Sequence, residues 1–523
     1  MKTTYFNLKT INSLLNYFFQ NRVSLNAVSN MFGRLWSSIL SLLSVPILFR
    51  HLGSEAYGLV GLYVSFEVVF NFLDLGLSAT INREVARNVA TNRPDAETRN
   101  LLRTFEFLYW PIGFMIAFLI FFLADWIAQY WVNAQSLSIQ TIRISIYVMA
   151  IMFAARWPRT LYVGAFCGLQ KQLLLNIIST IAVTVRIFTA IILLCYISQS
   201  IMMYLSWQAV SFILEVFLLR AFIWKDVNKK SVGKPCMDLQ ILKKNWRFAL
   251  SFNIVGVFGM VLAQAGVVIA TKFLGLSEVG YYSIAGTAAG SLTLISASIS
   301  NAIYPRFSGN TACNNNQIVS RDFHQSIRII NYFTFGFGFI LVLFPFNIIY
   351  WWTGDLRVAY HTYLLLFFLG LAGLFNSLAE PGYSLLVASG NTKVPLLCNL
   401  CNLILFIPAL LIFLPRYGIV SAAIALFLEN VIACVIYVCF VGKFILRESY
   451  VEYFKNDIFP YLIMCLLWFP GGKLICLFVE NEAIKLAIII LALSAYFVSM
   501  APHMIKGIKL REVRPVENVS LYL

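Results

Sequence analysis

The chain has 523 residues, of which 60% are hydrophobic and only 12% charged, and its mean hydropathy is +0.79. A water-soluble domain is roughly one quarter charged, and a soluble chain of this length would not hide so much apolar surface, so lipid is the solvent. The formal charge of +16 raises nucleic acid as a partner, but the basic residues sit in short segments between apolar runs, a membrane-topology pattern that argues against it.

Residues 1–27 come first. Ile11, Leu14, Leu15, Phe18 and Phe19 fall at helical spacing opposite Lys9, Asn12 and Asn16, the pattern of an interfacial amphipathic helix. No apolar core with a small-residue cleavage site follows the lysines, so the segment does not read as a cleavable signal. Runs long enough to cross a bilayer, about 20 mostly apolar residues, then follow at 28–49, 57–80, 104–124, 142–163, 173–195, 201–223, 248–273, 281–304, 328–351, 360–386, 395–414, 419–441, 458–479 and 484–504. Pro470-Gly471-Gly472-Lys473 interrupts the thirteenth. The expected fold is an all-α polytopic membrane protein with about 14 transmembrane helices.

With the N-terminus placed in the cytoplasm, 27 of the 39 Lys and Arg fall in cytoplasmic segments, 5 in external ones (Arg50, Lys272, Arg357, Arg416, Lys485) and 7 within spans. Positive charge stays inside, so both termini are expected in the cytoplasm. The most basic segment, 224–247, carries Lys225, Lys229, Lys230, Lys234, Lys243, Lys244 and Arg247.

The ten cysteines show no framework spacing, and the Cys398/Cys401 pair lies in an apolar run without a second pair. They read as packing residues, so neither a metal site nor a cofactor is expected. No GxxxxGK[ST] run occurs, so nucleotide hydrolysis is not expected either.

The chain also repeats itself. Leu52-Gly53 and Ser54-Glu55 return as Leu274-Gly275 and Ser277-Glu278, Arg83 as Arg306, and Gly168 and Lys171 as Gly390 and Lys393, each 222 or 223 residues on. Six spans separate the copies, so they share one orientation. Two parallel six-helix repeats are a transporter arrangement with substrate handled between the halves. The expected division is the amphipathic N-terminus 1–27, a first lobe 28–223, a basic linker 224–247, a second lobe 248–441, and two extra helices with a tail at 442–523.

Ionisable residues inside spans are expensive and mark function by default. Asn30, Arg34, Ser37, Ser41 and Ser44 lie on one face of the first span, and Glu67, Asn71, Asp74 and Ser78 on one face of the second, which suggests a shared wet cavity. At about 1.5 Å per residue, Arg34 and Asp74 both lie about 9 Å from the cytoplasmic ends of their spans. Arg156 and Arg159, around Pro158, lie in the cytoplasmic third, and Arg186 and Glu67 lie near mid-membrane. One reading is an anion-binding cluster of Arg34, Arg156 and Arg159, with Glu67 and Asp74 as protonatable or cation-binding groups. The other is that Arg34–Asp74 and Arg186–Glu67 are structural ion pairs. Glu215, Glu380 and Glu429 are weaker candidates. Arg143, Arg220 and Asp125, at span ends, read as snorkelling. Positions 222 or 223 beyond Arg34, Glu67, Asp74 and Arg156 are uncharged, so binding and coupling are expected in the first half.

The stretch Phe49–Arg87, FRHLGSEAYGLVGLY…NFLDLGLSATINREVAR, resembles the first loop and second span of bacterial polysaccharide-transporter proteins. These include the O-antigen and lipid-linked oligosaccharide flippases of the multidrug/oligosaccharidyl-lipid/polysaccharide exporter superfamily. Pro158–Asn176, PRTLYVGAFCGLQKQLLLN, resembles that family's fourth-to-fifth span junction. The resemblance implies two six-helix lobes around a central cavity in the bacterial inner membrane. It implies ion-driven translocation, by H+ or Na+, of undecaprenyl-diphosphate-linked glycan from the inner to the outer leaflet, with a polysaccharide polymerase machinery as a further candidate partner. It maps a cationic substrate-binding cavity onto Arg34, Arg156, Arg159 and Arg186. Two extra C-terminal spans depart from the commonest twelve-helix layout. The competing readings are a drug or other small-solute exporter of the same superfamily, where acidic cavity residues are expected to prevail, and a membrane-embedded glycan polymerase or glycosyltransferase, for which no large external loop is present.

Overall fold

A computed structural model of the chain describes residues 22–72, 74, 76–91, 95–228, 235–238, 254–313, 316–446 and 453–509. The expected amphipathic helix at the N-terminus and most of the basic linker lie outside the described residues. The described chain runs α1 (Arg22–Leu52), α2 (Ser54–Phe72), α3 (Leu77–Ala90), α4 (Asp95–Trp126), α5 (Ile139–Gly168), α6 (Gln172–Tyr196), α7 (Ile201–Val227), α8 (Ile254–Phe273), α9 (Leu276–Ala312), α10 (Asn316–Leu343), α11 (Pro345–Thr353), α12 (Leu356–Ala388), α13 (Lys393–Tyr417), α14 (Val420–Phe440), α15 (Phe459–Phe478) and α16 (Glu482–Lys509). Thirteen of these helices are long and apolar enough to cross a membrane. With α2 they make the fourteen expected. Two compact units divide at Ser283/Ile284, inside α9.

The second span is not continuous through residue 80 as expected. It stops at Phe72 and restarts as α3 at Leu77. Gly76 between them takes φ +80°, a left-handed conformation that glycine adopts without a Cβ penalty. Asp74 holds the break: its carboxylate accepts from the Ser78 backbone N–H at 3.0 Å, from the Tyr109 hydroxyl at 2.5 Å and from the Thr160 hydroxyl at 3.1 Å. It therefore caps α3, whose first-turn N–H groups have no helical partner.

Lipid tails are as apolar as leucine, so helices in a bilayer associate through close backbone approach and hydrogen bonds. The first unit shows both. Helix α3 lies on Gly164 and Gly168 of α5, where an added Cβ would sit 2.5 Å from the Ser78 carbonyl and 2.7 Å from that of Asn82. Helix α1 is tied to α6 by polar side chains: Asn30 donates to Gln172 at 2.6 Å, Asn176 to Asn30 at 2.5 Å, and Trp36 to Thr184 at 2.9 Å.

At one end of this unit the repeats meet on equivalent positions. The Ser54 and Ser277 hydroxyls are 3.1 Å apart, at a separation of 223 residues. A Cβ on Gly58 would lie 2.1 Å from the Leu276 carbonyl, one on Gly280 would lie 2.3 Å from the Ser54 carbonyl, and one on Gly61 would lie 2.1 Å from the Ser283 hydroxyl. The loop after α4 covers the same end. Its Asn133 N–H donates to the Thr271 carbonyl at 2.9 Å and its carbonyl accepts from Leu276 N–H at 2.9 Å. Buried Glu55 accepts from the backbone of Gln135 at 2.8 Å, from the Ser136 hydroxyl at 2.6 Å and from the Leu137 N–H at 2.9 Å. Burial opposes ionisation of Glu55, but the Ser136 hydroxyl and these N–H groups outweigh it and hold the carboxyl below its usual value.

The turn after α5 also recurs after α12, at a different register from the one read in the sequence. Leu169, Gln170 and Lys171 donate to Ala165, Cys167 and Phe166, and Ser389, Gly390 and Asn391 donate to Leu385, Val387 and Leu386. The left-handed residues are Gln170 (φ 55°) and Gly390 (φ 79°), which are 220 positions apart. Gly168 was matched to Gly390 in sequence, but its glycine answers to α3 packing rather than to the turn.

In the second unit, α15 and α16 dock on α10. Gly336 makes room for Tyr496, whose ring an added Cβ would meet at 2.8 Å, and the Tyr332 hydroxyl donates to the Phe497 carbonyl at 3.1 Å. Asp457, fully buried before α15, accepts from Arg328 Nε at 2.6 Å and contacts the His324 ring. The Asn331 amide donates to its carbonyl at 2.8 Å.

Candidate functional site

Helices α2, α5, α6 and α7 bring together a charged cluster. Arg156 Nη1 meets Glu67 Oε2 at 2.7 Å. Arg159 Nε meets Glu215 Oε1 at 2.7 Å, and Arg186 Nη1 meets Glu215 Oε2 at 3.2 Å. Arg159 also donates to the Ser179 hydroxyl at 3.2 Å. The Phe212 ring is shared by two cations: the guanidinium carbons of Arg156 and Arg186 each lie 4.3 Å from its centroid. The Trp207 indole N–H donates to the Arg186 carbonyl at 3.0 Å.

Helical spacing explains the assembly. Arg156 and Arg159 lie one turn apart on α5, and Ser179 and Arg186 two turns apart on α6. Phe212 and Glu215 are i, i+3 on α7, so each helix presents one face to the cluster. Glu215 side-chain exposure is 2%, whereas Arg156, Arg159 and Arg186 keep 22%, 28% and 11%. Three guanidiniums face two carboxylates, which leaves one positive charge in excess. A cation inside a bilayer costs several kcal/mol unless it is paired or solvated, and guanidinium offers forked, permanently charged donors that match phosphate. The cluster suits an anion held against the exposed sides of its arginines.

Of the sequence candidates, Arg156, Arg159, Arg186 and Glu67 converge. The expected Arg186–Glu67 pair does not form, because Glu67 goes to Arg156 and Glu215 takes both Arg159 and Arg186. Nor does an Arg34–Asp74 pair. Arg34 is exposed on α1 and its guanidinium makes no ion pair among the described residues, while Asp74 is occupied at the α3 cap. The polar face of α1 does not join that of α2 in the expected wet cavity: Asn30 turns to α6, and Ser37 and Ser44 bond carbonyls of their own helix. Glu215, read as a weaker candidate, is the hub of the cluster. The signal for it was the run of Gln208, Ser211 and Glu215 along one face of α7, all buried. Glu380 and Glu429, on α12 and α14, make no hydrogen bond or ion pair among the described residues.

Thirteen helices long and apolar enough to cross a membrane make this a multi-pass membrane protein, with a buried charged cluster in its first unit. Residues 23–311 match the family described as Polysaccharide biosynthesis protein, and residues 253–412 match the MatE family. The chain belongs to the polysaccharide-transporter family of the multidrug/oligosaccharidyl-lipid/polysaccharide superfamily. It is 20% identical over 400 residues, 76% of this chain and 93% of the other, to the "Putative O-antigen transporter" of Shigella flexneri. Its fold is similar to that of the lipid II flippase MurJ in an inward closed conformation (TM-score 0.70, 14% identity, 92% of this chain and 99% of that one). It is also similar to that of an inward-facing multidrug resistance MATE transporter (TM-score 0.63, 14% identity, 76% and 92%).

Proposed function

We propose that this protein translocates a polyprenyl-diphosphate-linked oligosaccharide, of the O-antigen or surface-polysaccharide repeat class, from the inner to the outer leaflet of the bacterial cytoplasmic membrane. The observation that carries this reading is the charge imbalance of the cluster, three arginines against Glu67 and Glu215. A diphosphate brings about two negative charges, which match the excess once Glu67 is neutralised and three arginines face Glu215 alone. The family match and the O-antigen relative support the glycan class. The lipid tail stays in the bilayer while head and glycan cross.

The cycle is driven by H+ or Na+. When Glu67 takes up a proton or cation, Arg156 loses its partner and becomes free to hold phosphate, so ion and anion loading are linked. Arg34, exposed on α1, is the first arginine a headgroup meets. Asp74 acts on this cycle through the α2–α3 break. Both termini and the basic linker face the cytoplasm, as the partition of Lys and Arg supports. The end where Ser54 meets Ser277 is then external, and the cycle parts that contact when glycan leaves. A multidrug exporter is the second reading; the MatE match favours it, as do Glu380 and Glu429, unpaired among the described residues, since a cationic drug seeks such carboxylates.

A deletion strain that accumulates the lipid-linked oligosaccharide on the cytoplasmic face, complemented by the native chain but not by an Arg156→Ala, Arg159→Ala, Arg186→Ala variant of normal abundance, is the expected result. Full complementation by that variant would overturn the substrate reading.

A further inference from the structure

On the opposite side of α7 from much of the cluster lies a second, smaller group of charges. A pocket of about 410 Å³ between α4 and α7 is lined by Arg103, Glu106, Phe107, Trp110, Pro111, Phe217 and Arg220. Its floor is Glu106, 3% exposed. One oxygen of Glu106 accepts from Tyr162 at 2.8 Å, Arg220 Nε at 2.9 Å and Trp224 Nε1 at 2.8 Å. The other accepts from Arg103 Nη1 at 3.2 Å. The carboxylate is saturated, but the arginines are not. Each guanidinium carries five N–H donors and reaches Glu106 through one nitrogen, while the Arg103 and Arg220 side chains keep 52% and 38% of their surface exposed.

The walls are lipid-facing. Phe107 is 63% exposed and Phe217 52%, and Pro111 and Trp110 continue the apolar strip along α4. Arg103 lies about 12 Å from the start of α4 and Arg220 about 10 Å from the end of α7, which are adjacent ends of antiparallel helices. Both therefore sit close to one membrane surface, at the level of lipid phosphates, beside the amphipathic rings of Trp110 and Trp224 that favour this depth.

We infer that this pocket binds the headgroup of an anionic glycerophospholipid from the surrounding leaflet. Two arginines and one glutamate carry a net single positive charge, which matches one phosphodiester. The acyl chains lie along Phe107, Trp110 and Phe217. A zwitterionic lipid fits less well, because its own cation meets the two arginines. The site serves as a lipid anchor of α4 on α7, not as a station for the transported glycan, and it does not depend on the transport reading.

The test uses the full chain in detergent, titrated with phosphatidylglycerol or phosphatidylcholine, with bound lipid counted by native mass spectrometry. Phosphatidylglycerol is expected to be retained in preference to phosphatidylcholine. Arg103→Gln, on an exposed side chain that leaves Arg220 on Glu106, is expected to weaken that retention by about fivefold, the effect of removing one interfacial charge, with an unchanged elution profile. A second variant, Arg103→Gln with Glu106→Gln and Arg220→Gln, removes the charge without stranding a buried carboxylate and should abolish the preference. Equal retention of the two lipids, or retention unaffected by both variants, overturns the assignment. So does a pocket that takes farnesyl diphosphate in place of phosphatidylglycerol, which marks it as part of the substrate path.

Discussion

Gly58 and Gly280, 222 positions apart in the chain, lie against one another so closely that each would drive a Cβ into the first carbonyls of the other's helix. Any larger residue must push α2 and α9 apart. Gly58→Leu or Gly280→Leu is therefore expected to lower thermal stability in detergent, with overpacking of about 1–3 kcal/mol, and to shift the chain away from this conformation. Ser54→Cys with Ser277→Cys is expected to form a disulfide under mild oxidation and to stop transport until it is reduced. Transport that continues with the bond closed would show that this contact does not part during the cycle.

The charged cluster separates binding from folding. Arg159→Ala still leaves Glu215 with Arg186, and Arg156→Ala with Glu67→Gln removes both members of the other pair, so both proteins are expected to insert normally and lose transport. Glu215→Gln strands two arginines at once. That variant is expected to lose folded protein, by an amount in the range of about 3–5 kcal/mol found for broken buried pairs. Abundance by fluorescence-detected size exclusion, beside complementation, reads the two effects apart.

Asp74 and Arg34 should behave oppositely to a salt-bridged pair. Asp74→Ala removes the α3 cap and two hydroxyl partners and is expected to cost about 1–2 kcal/mol of stability. Arg34→Ala is expected to leave stability unchanged. A charge swap that rescued Asp74→Arg with Arg34→Asp would contradict the cap.

Glu55 predicts an acid-sensitive loop. Its folded-state value is held down by hydrogen bonds, so its contribution is complete above the unfolded carboxyl range near ~4.3 and fades as pH falls through the folded value. Protection of the Gln135–Leu137 amides, measured as exchange relative to the intrinsic rate at each pH, is expected to decline at pH values below that range in the native chain. Glu55→Gln should show fast exchange already at neutral pH, with little further change in acid.

Much of the fold was legible because its period is that of the bilayer. Span positions follow from run length alone, and the repeat from matching residues around Ser54 and Gly168. The break at Asp74 and Gly76 was not legible, since both sit in an otherwise apolar run and read equally well as a polar stripe. Arg156, Arg159 and Arg186 were visible as charges in the membrane. Their partners were not, because helical spacing fixes which residues share a face but not which helix that face meets. Arg34 and Glu67 share a depth with Asp74 and Arg186, yet α1 packs on α6 through Asn30 and Asn176, which sends Arg34 elsewhere. The turn register slipped by two residues because Gly168 was matched to Gly390 by residue type, whereas Gly168 packs on α3 and Gln170 takes the left-handed turn position.

The meeting of Gly58 with Gly280 has the geometry of a dimer written into one polypeptide. At a two-fold axis joining identical subunits, a residue lies against its own copy, and a single replacement is felt twice. Here the copies are separately encoded, so the pair can diverge. Gly61 faces a serine at position 283, and the crossing tolerates that hydroxyl only because its counterpart kept no side chain. Substitutions on the two sides are thus not independent: their effects should be strongly non-additive, and relaxation on one helix is permitted only while the other stays bare.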